Sequence, residues 1–384
     1  MLEYAKIIVS IILKLVVRIN ELRMRGEKKM AVTIKDVAKL ADVAPSTVSR
    51  VIANNSRISE ATKRKVKKAM EQLGYHPNQN ARSLAIQSTQ TIGLVMPSSG
   101  DVVFQNPFFS MVLQGISESA HNKKYAMHMT TGKSDEEIFE AVIHMVQGKR
   151  VDGMILLNSK VEDKAISYLR ERDFPFVVIG KPSKDAEEIT HVDNDNVRAM
   201  REATDYLIDH GHRKIAFIGG SLELMVTVDR LNGYKQALKK ANIPIKNEYI
   251  LHEEFLREGG QEAVSELMAL EQRPTSLAVV DDLMALGVLS TLDELGIRVP
   301  EEISVVSFNN VLLSEMSKPP LTSIDINIFE LGYQASRSLI QKIENRTEPT
   351  KRIIIPHKLV ERQSCSHQIP ITIDEQNADG NENL

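Results

Sequence analysis

The side chains best suited to chemistry in this chain stand directly after short apolar runs. Phe104, Asn106, Phe108 and Phe109 follow TIGLVM at 91–96, Asn158 follows GMILL, and Gly180-Lys181 follows FVVI. Arg230 sits in DRLNGY, Phe255 comes after a run near Ile250, Asp281-Asp282 ends SLAVV, and Asn309-Asn310 ends SVVSF. Guanidinium, carboxylate and amide groups supply planar pairs of donors and acceptors that match vicinal hydroxyls, and phenyl rings cover the C–H faces of a sugar. The set therefore suits a polyol. Each member also has a plainer use: Asp281 stands where the helix LMALG needs an N-cap, Phe108 or Phe109 could be core, and Arg230 could be a surface arginine.

Other chemistries find less support. There is no Gly-rich phosphate loop and no metal-ligand spacing among the 10 histidines. His210-Gly211-His212 follows a helical stretch, where neighbouring side chains do not converge on one ion. The single cysteine, Cys365, cannot form an intrachain disulfide, which fits a reducing cytoplasm. The expectation is a binding protein with no cofactor and no metal, not an enzyme.

The runs that carry these residues alternate with helical stretches. Strands are expected at Thr91–Met96, Tyr125–Thr130, Gly153–Leu157, Phe176–Ile179, Lys214–Ile218, near Ile250, Leu277–Val280 and Ile303–Phe308. Helices are expected at Phe108–His121, Asp135–Gln147, Glu162–Arg170, Asn196–His210, Asp229–Lys240, Gly259–Met268 and Asp282–Leu295. Such alternation predicts parallel sheets with helices on both faces, and two runs of it predict two doubly wound subdomains. Ligands of open α/β sheets bind outside the carboxyl ends of the strands, where the candidates lie.

Charge divides the chain. Residues 30–90 hold 10 lysines and arginines against 4 acids, residues 1–29 hold 7 against 3, and with −3 overall residues 91–384 carry −13. A basic module on an acidic body points to a polyanion-binding head. Within it, Thr33-x-x-Asp36 starts a helix Ile34–Ala41, and Pro45 suits the first position of a second, Pro45–Ala53. Ser59 caps a third, Glu60–Leu73, which Gly74 stops. The second helix turns Val48, Val51 and Ile52 inward and leaves Ser46, Thr47, Ser49 and Arg50 outside. Two short helices joined by a tight turn and braced by a third make a helix-turn-helix.

The apolar segment Ile7–Val17 is too short to span a membrane, which takes about 20 residues. No signal-cleavage site follows it. Arg25–Lys29 can be written in purine-rich codons just before Met30, so residues 1–29 are expected to be absent from the mature protein. The polar tail 366–384 lacks apolar periodicity and is expected to be disordered.

Thr33–Ile52, TIKDVAKLADVAPSTVSRVI, and the following ISEATKRKVKKAMEQLGYHPNQNARSLA resemble the head of the lactose-repressor (LacI/GalR) family without a gap through Ala85. The resemblance implies that the second helix enters the major groove of double-stranded operator DNA. Pro45, Ser46 and Arg50 then fall on base-reading positions, and Thr33, Ser49 and Asn54 on phosphate-contacting ones. Ala44 departs from the usual serine. Asn78–Ile86 matches the hinge helix, with Leu84 on the position of the leucine that wedges into the minor groove.

The body resembles the same family, whose fold is that of periplasmic sugar-binding proteins. Its R-x-x-G-aromatic pattern is here Arg230, Gly233 and Tyr234; its D-x-M-A-x-G pattern is Asp282, Met284, Ala285 and Gly287; its stacking aromatic is Phe255. The implied organisation is an extension 1–29, a head 30–77, a hinge and linker 78–90, a body 91–365 and a tail 366–384. The implied function is a cytoplasmic, homodimeric, sugar-responsive repressor on a pseudo-palindromic operator. Phe108, Phe109, Asn158, Lys181, Arg230, Phe255, Asp282 and Asn310 are the expected effector contacts. VVFQNPFF, VDNDN, FNNVLLSE and IPHKLVERQSC look closest to maltose-responsive members, which implies maltose or a short maltodextrin. A repressor for another saccharide is the alternative, and a secreted solute-binding protein with the same body is a further one.

Overall fold

The computed structural model describes residues 32–53, 55–75, 88–157 and 159–368. The expectations for residues 1–29, Asn54, the hinge Asn78–Ile86 with Leu84, Asn158, and the tail beyond 368 lie outside these residues. The described chain divides into two compact units at Thr89/Gln90.

The first unit holds three helices, α1 (Ile34–Leu40), α2 (Pro45–Ile52) and α3 (Glu60–Leu73). Asp36 accepts from the Thr33 amide at 2.9 Å, which gives α1 a satisfied start. Pro45 opens α2 after Ala44, whose side chain supplies no cap. The Ser59 hydroxyl accepts from Thr62 N at 3.3 Å, and Gly74 stops α3 at φ +61°. Val37, Ala38, Ala41, Val48, Val51, Val66 and Ala69 form the core, at the helical spacings the sequence predicts. That core is small, so most side chains of this unit face water.

The second unit contains two six-stranded sheets. The first lobe orders β11 (Arg352–Ile354), β5 (His191–Asp193), β4 (Phe176–Ile179), β3 (Gly153–Leu156), β1 (Thr91–Val95) and β2 (Ala126–Thr130), all parallel. The second lobe orders β12 (Lys358–Val360), β10 (Thr322–Asp325), β9 (Ser304–Phe308), β8 (Ser276–Val279), β6 (Ile215–Gly219) and β7 (Ile250–His252). Only β12 runs antiparallel there. The central strands are buried along their whole length, which is why they read as unbroken apolar runs.

Helices α4 (Gly100–Gln105), α5 (Pro107–Asn122), α6 (Asp135–Gln147), α7 (Lys164–Glu171) and α13 (Ile328–Glu344) serve the first lobe. The second has α8 (Asn196–Asp209), α9 (Met225–Lys240), α10 (Arg257–Ala269), α11 (Asp282–Glu294) and α12 (Leu312–Met316). Two motif glycines are explained by packing. A Cβ on Gly233 would lie 2.2 Å from the Val197 carbonyl oxygen, and one on Gly287 would lie 1.9 Å from that of Arg257. Each lets two helices approach backbone to backbone.

Three connections join the lobes: after β5, after β10 and after β11. One side chain ties them together. Asn194 Nδ2 donates to the carbonyls of Ile326 and Ile355, each at 2.9 Å.

The expected helix Phe108–His121 is α5, and α4 precedes it where no element was expected. One expectation is corrected here. Residues 366–368, expected in the disordered tail, are fastened to the body. Gln368 N donates to the His210 carbonyl at 2.8 Å, and His367 stacks on His210 with centroids 4.3 Å apart. That attachment satisfies a carbonyl at the end of α8 and uses a ring stack, neither of which leaves an apolar pattern in sequence.

Candidate functional site

The head presents its candidates to solvent. Thr33, Pro45, Ser46 and Arg50 are exposed, and Thr47 and Ser49 are half-buried. The first turn of α2 carries no acidic side chain, so its positive dipole end remains available to a phosphate. On α3, Arg64, Lys65, Lys67 and Lys68 are exposed, while Lys63 pairs with Glu60 at 2.8 Å.

In the body, a cavity of about 730 Å³ lies between the carboxyl ends of the two sheets. Phe108, Phe109, Lys181, Arg230 and Phe255 line it, all five named from sequence. Phe108 and Phe109 meet edge to face, centroids 5.2 Å apart. Phe255 lies so close to the β6 turn that a Cβ on Gly220 would be 2.0 Å from its ring. Only glycine leaves room for the ring there.

Arg230 is a buried cation of the site, 4% exposed. Its Nε donates to Asn196 Oδ1 at 3.0 Å, its Nη1 donates to the Val280 carbonyl, and its guanidinium lies 4.3 Å over the Phe308 ring. Nothing among the described residues accepts from Nη2. Burial pulls its pKa down to about 10 although Asp281, Asp193 and Asp282 oppose the shift, so it stays charged at neutral pH. Asn196 also donates to Asp193 Oδ1 at 2.9 Å. A chain of two hydrogen bonds thus links Arg230 to the first lobe connection. Burial raises Asp193, which also lines the cavity, to about 7.

Two expected contacts stand apart from the cavity. Asp282 and Asn310 do not line the cavity; their neighbours Asp281 and Asn309 do. Asp282 accepts from the Ser307 hydroxyl, from Ser323 Oγ at 2.8 Å and from Val311 N at 2.8 Å. It fastens α11 to the ends of β9 and β10, and burial raises its pKa to about 7. Asn310 accepts from Arg362 Nη2 at 2.7 Å and donates to Asp325 at 3.3 Å. The physical reason is rotation: adjacent residues at a strand end or helix start point in different directions, so a one-residue choice decides which faces the cleft.

Asp281 does more than cap α11. Its Oδ1 accepts from Leu283 N at 2.7 Å, the expected cap. Its Oδ2 accepts from Asn309 at 2.7 Å and, across the cleft, from Asn106 Nδ2 at 3.1 Å. Asn106 Oδ1 in turn caps α5 through Phe108 N at 2.9 Å. Asp193, Asn194, Asn196 and Asp229 were not singled out from sequence, although the string VDNDN already drew notice. No cluster of His, Cys, Asp or Glu fit to hold a metal occurs among the described residues, and none of their helices is long and apolar enough to cross a membrane.

Residues 33–78 match the family model for bacterial regulatory proteins of the lacI family, and residues 204–365 match that for a periplasmic binding protein-like domain. The transcriptional regulator MalR of Streptococcus pneumoniae is 44% identical over 340 residues, which is 87% of this chain and all of that one. The chain belongs to the LacI family. As a member, it is a DNA-binding transcriptional regulator with a helix-turn-helix head and an α/β body. Two solved structures extend the likeness along 87% of the chain and 99% of each relative. One is the transcriptional regulator CelR in complex with cellobiose, 32% identical with a TM-score of 0.69. The other is the lac repressor dimer bound to operator and an anti-inducer, 26% identical with a TM-score of 0.75.

Proposed function

We propose that this LacI-family regulator is a cytoplasmic, homodimeric repressor of a carbohydrate-utilisation operon, and that maltose or a short maltodextrin releases it from DNA. It binds its effector without converting it. The observation that carries the reading is the cavity: one buried arginine whose Nη2 has no acceptor among the described residues, carboxylates and amides around it, and three phenylalanines. Arg230 Nη2 and the Asp281 and Asn309 side chains supply the polar grip, Phe108, Phe109 and Phe255 the stacking faces, and Lys181 a further donor. Support for maltose comes from the likeness to the 44% identical regulator MalR and to the solved structure of a staphylococcal maltose operon transcriptional repressor malR, 31% identical with a TM-score of 0.66. The CelR–cellobiose complex supports a disaccharide in such a body and keeps another glucose disaccharide as the second reading.

In the head, Arg50 reads a guanine through two hydrogen bonds, Pro45, Ser46 and Thr47 approach neighbouring base edges, and Thr33 and Ser49 hold phosphates. A dimer places two α2 helices in successive major grooves ~34–36 Å apart, so the operator is a pseudo-palindrome. Effector binding biases the lobe arrangement through the Arg230–Asn196–Asp193 chain at the lobe connection. It shifts DNA affinity only as far as its own affinities for the two arrangements differ.

The test is calorimetric titration of the full chain with maltose, cellobiose and glucose, alongside operator release. Maltose is expected to bind and release DNA. Binding of cellobiose in its place would transfer the reading to that sugar, and binding of neither would refute it.

A further inference from the structure

The two lobes are joined at the cleft by backbone as well as by side chains. Val161 N donates to the Glu223 carbonyl at 2.8 Å, and Met225 N donates to the Ser159 carbonyl at 3.0 Å. Lys160 and Leu224 stand opposite each other between these bonds as an antiparallel bridge. The first strip follows β3, two strands from β5, and the second follows β6, three strands from β10. Both are separated by at least one strand from those that carry the lobe connections. The Asn106–Asp281 bond is a second tie across the same cleft.

Ser159, Lys160, Leu224 and Met225 also line the cavity. The Ser159 hydroxyl is buried with no partner among the described residues, although a buried hydroxyl ordinarily finds one. A ligand enclosed behind the strip can supply that partner. A ligand that extends from the cavity past Ser159 toward Lys160 and Leu224 meets the strip, and passing it breaks both backbone bonds.

We propose that the pairing of Ser159–Val161 with Glu223–Met225 is a length filter: the effector is a short saccharide enclosed whole, and longer chains of the same sugar are rejected by the backbone strip. This rests on the saccharide reading above. It adds a specificity element built from amides, which no side-chain motif encodes.

Met225 is the first residue of α9, a position that tolerates proline, and Leu224 before it is already extended (φ −97°, ψ 126°). Met225→Pro therefore removes the donor to Ser159 and keeps the helix start. Met225→Leu is the control that keeps the N–H, and Val161→Pro removes the other bond from the opposite lobe. Circular dichroism identifies which variants fold.

Maltose, maltotriose and maltohexaose are titrated into the full-length protein and each variant. Wild type is expected to bind maltohexaose roughly tenfold or more weakly than maltotriose, the combined worth of two net backbone hydrogen bonds. Either proline variant should compress that ratio to about threefold or less, chiefly by strengthening maltohexaose binding because one of the two bonds is already absent, and Met225→Leu should not. Equal affinities in wild type, or an unchanged ratio in a folded proline variant, would overturn the filter while leaving the saccharide reading intact. Binding of no member of the series would overturn both.

Discussion

The head and the body place their polar groups in opposite surroundings. In the head, Arg50, Ser46 and the α3 lysines stand in water over a small apolar core. In the body, Arg230, Asp193, Asp281 and Asp282 are nearly sealed from solvent and bind one another's neighbours. An exposed cation costs nothing to hold and waits for a polyanion whose released counterions supply the affinity. A buried charge must be matched inside the protein, so removing one strands the rest. The lesson is that head variants should change binding with little change in stability, whereas body variants should change both unless they sit at the cavity surface alone.

The largest break in this contrast is Arg230→Ala. Removing the cation leaves the buried Asn196 Oδ1 and Val280 carbonyl without their donor, at about 1–3 kcal/mol of body stability for each. The lost charged hydrogen bond to a saccharide costs roughly 1.5–3 kcal/mol more of affinity, up to about a hundredfold. Thermal melting beside calorimetry checks both, and operator binding at permissive temperature should remain while effector release is lost. A lowered melting point with full saccharide affinity would make Arg230 a structural ion only.

Acidity gives the next effect. Asp193 and Asp282 keep their protons to about pH 7 in the folded protein, against an ordinary value of 3.8. Between those values the unfolded chain has released protons that the folded chain still holds. Stability therefore falls as pH rises from about 4 to 7 and levels off above. Asp193→Asn keeps an acceptor for Asn196 and removes the titration. The melting-point difference between variant and wild type should grow in the variant's favour over that window. A constant difference across it would remove Asp193 from the account.

The adjacent aspartates sharpen the comparison within the body. Asp282→Asn should lower stability by about 1–3 kcal/mol, since buried donors lose an acceptor, and change saccharide affinity less than about threefold. Asp281→Asn preserves the α11 cap and breaks the tie to Asn106, so it should cost affinity first. Measuring both variants by melting and titration tells whether the one-residue assignment is right.

The smallest effects belong to the head. Arg50→Ala should cost about 1–3 kcal/mol at one operator base pair, with the melting curve unmoved. Lys67→Ala should weaken all DNA sequences alike and reduce the salt slope by about 1. Competition binding with point-mutated operators separates the two behaviours. Identical behaviour of both variants would take base reading away from α2.

How far these features could be read in advance follows the same division. The head was legible because its signals are local: a cap, a proline, a glycine stop and apolar residues one turn apart. Strands such as Phe176–Ile179 were legible because burial on both faces leaves an unbroken apolar run. His191–Asp193, Thr322–Asp325, Arg352–Ile354 and Lys358–Val360 were missed, being short and polar at alternate or end positions, as was the long helix Ile328–Glu344. Phe108, Phe109, Arg230 and Phe255 were found because strand ends and motifs mark them. Which of Asp281 and Asp282, or of Asn309 and Asn310, faces the cavity was not legible, because side-chain direction at a helix start depends on tertiary partners: Ser307 and Ser323 for Asp282, Asn106 and Asn309 for Asp281. The cap reading of Asp281 was correct but incomplete, since its second oxygen was free to serve the cleft.

The three lobe connections also set a timetable for synthesis. The first lobe pairs β5 with β11 and covers its sheet with α13, so it is completed only by residues that follow all but the last strand of the second lobe. At about 5–20 residues per second, a ribosome takes roughly 10–30 s to travel from Asp193 to Ile354. During that interval the first lobe has an open edge at β5 and a bare apolar face beside α5. The second lobe has nearly all its strands by Asp325 and can close first. Newborn chains are therefore most exposed to chaperones and proteases through the lobe that was translated earliest.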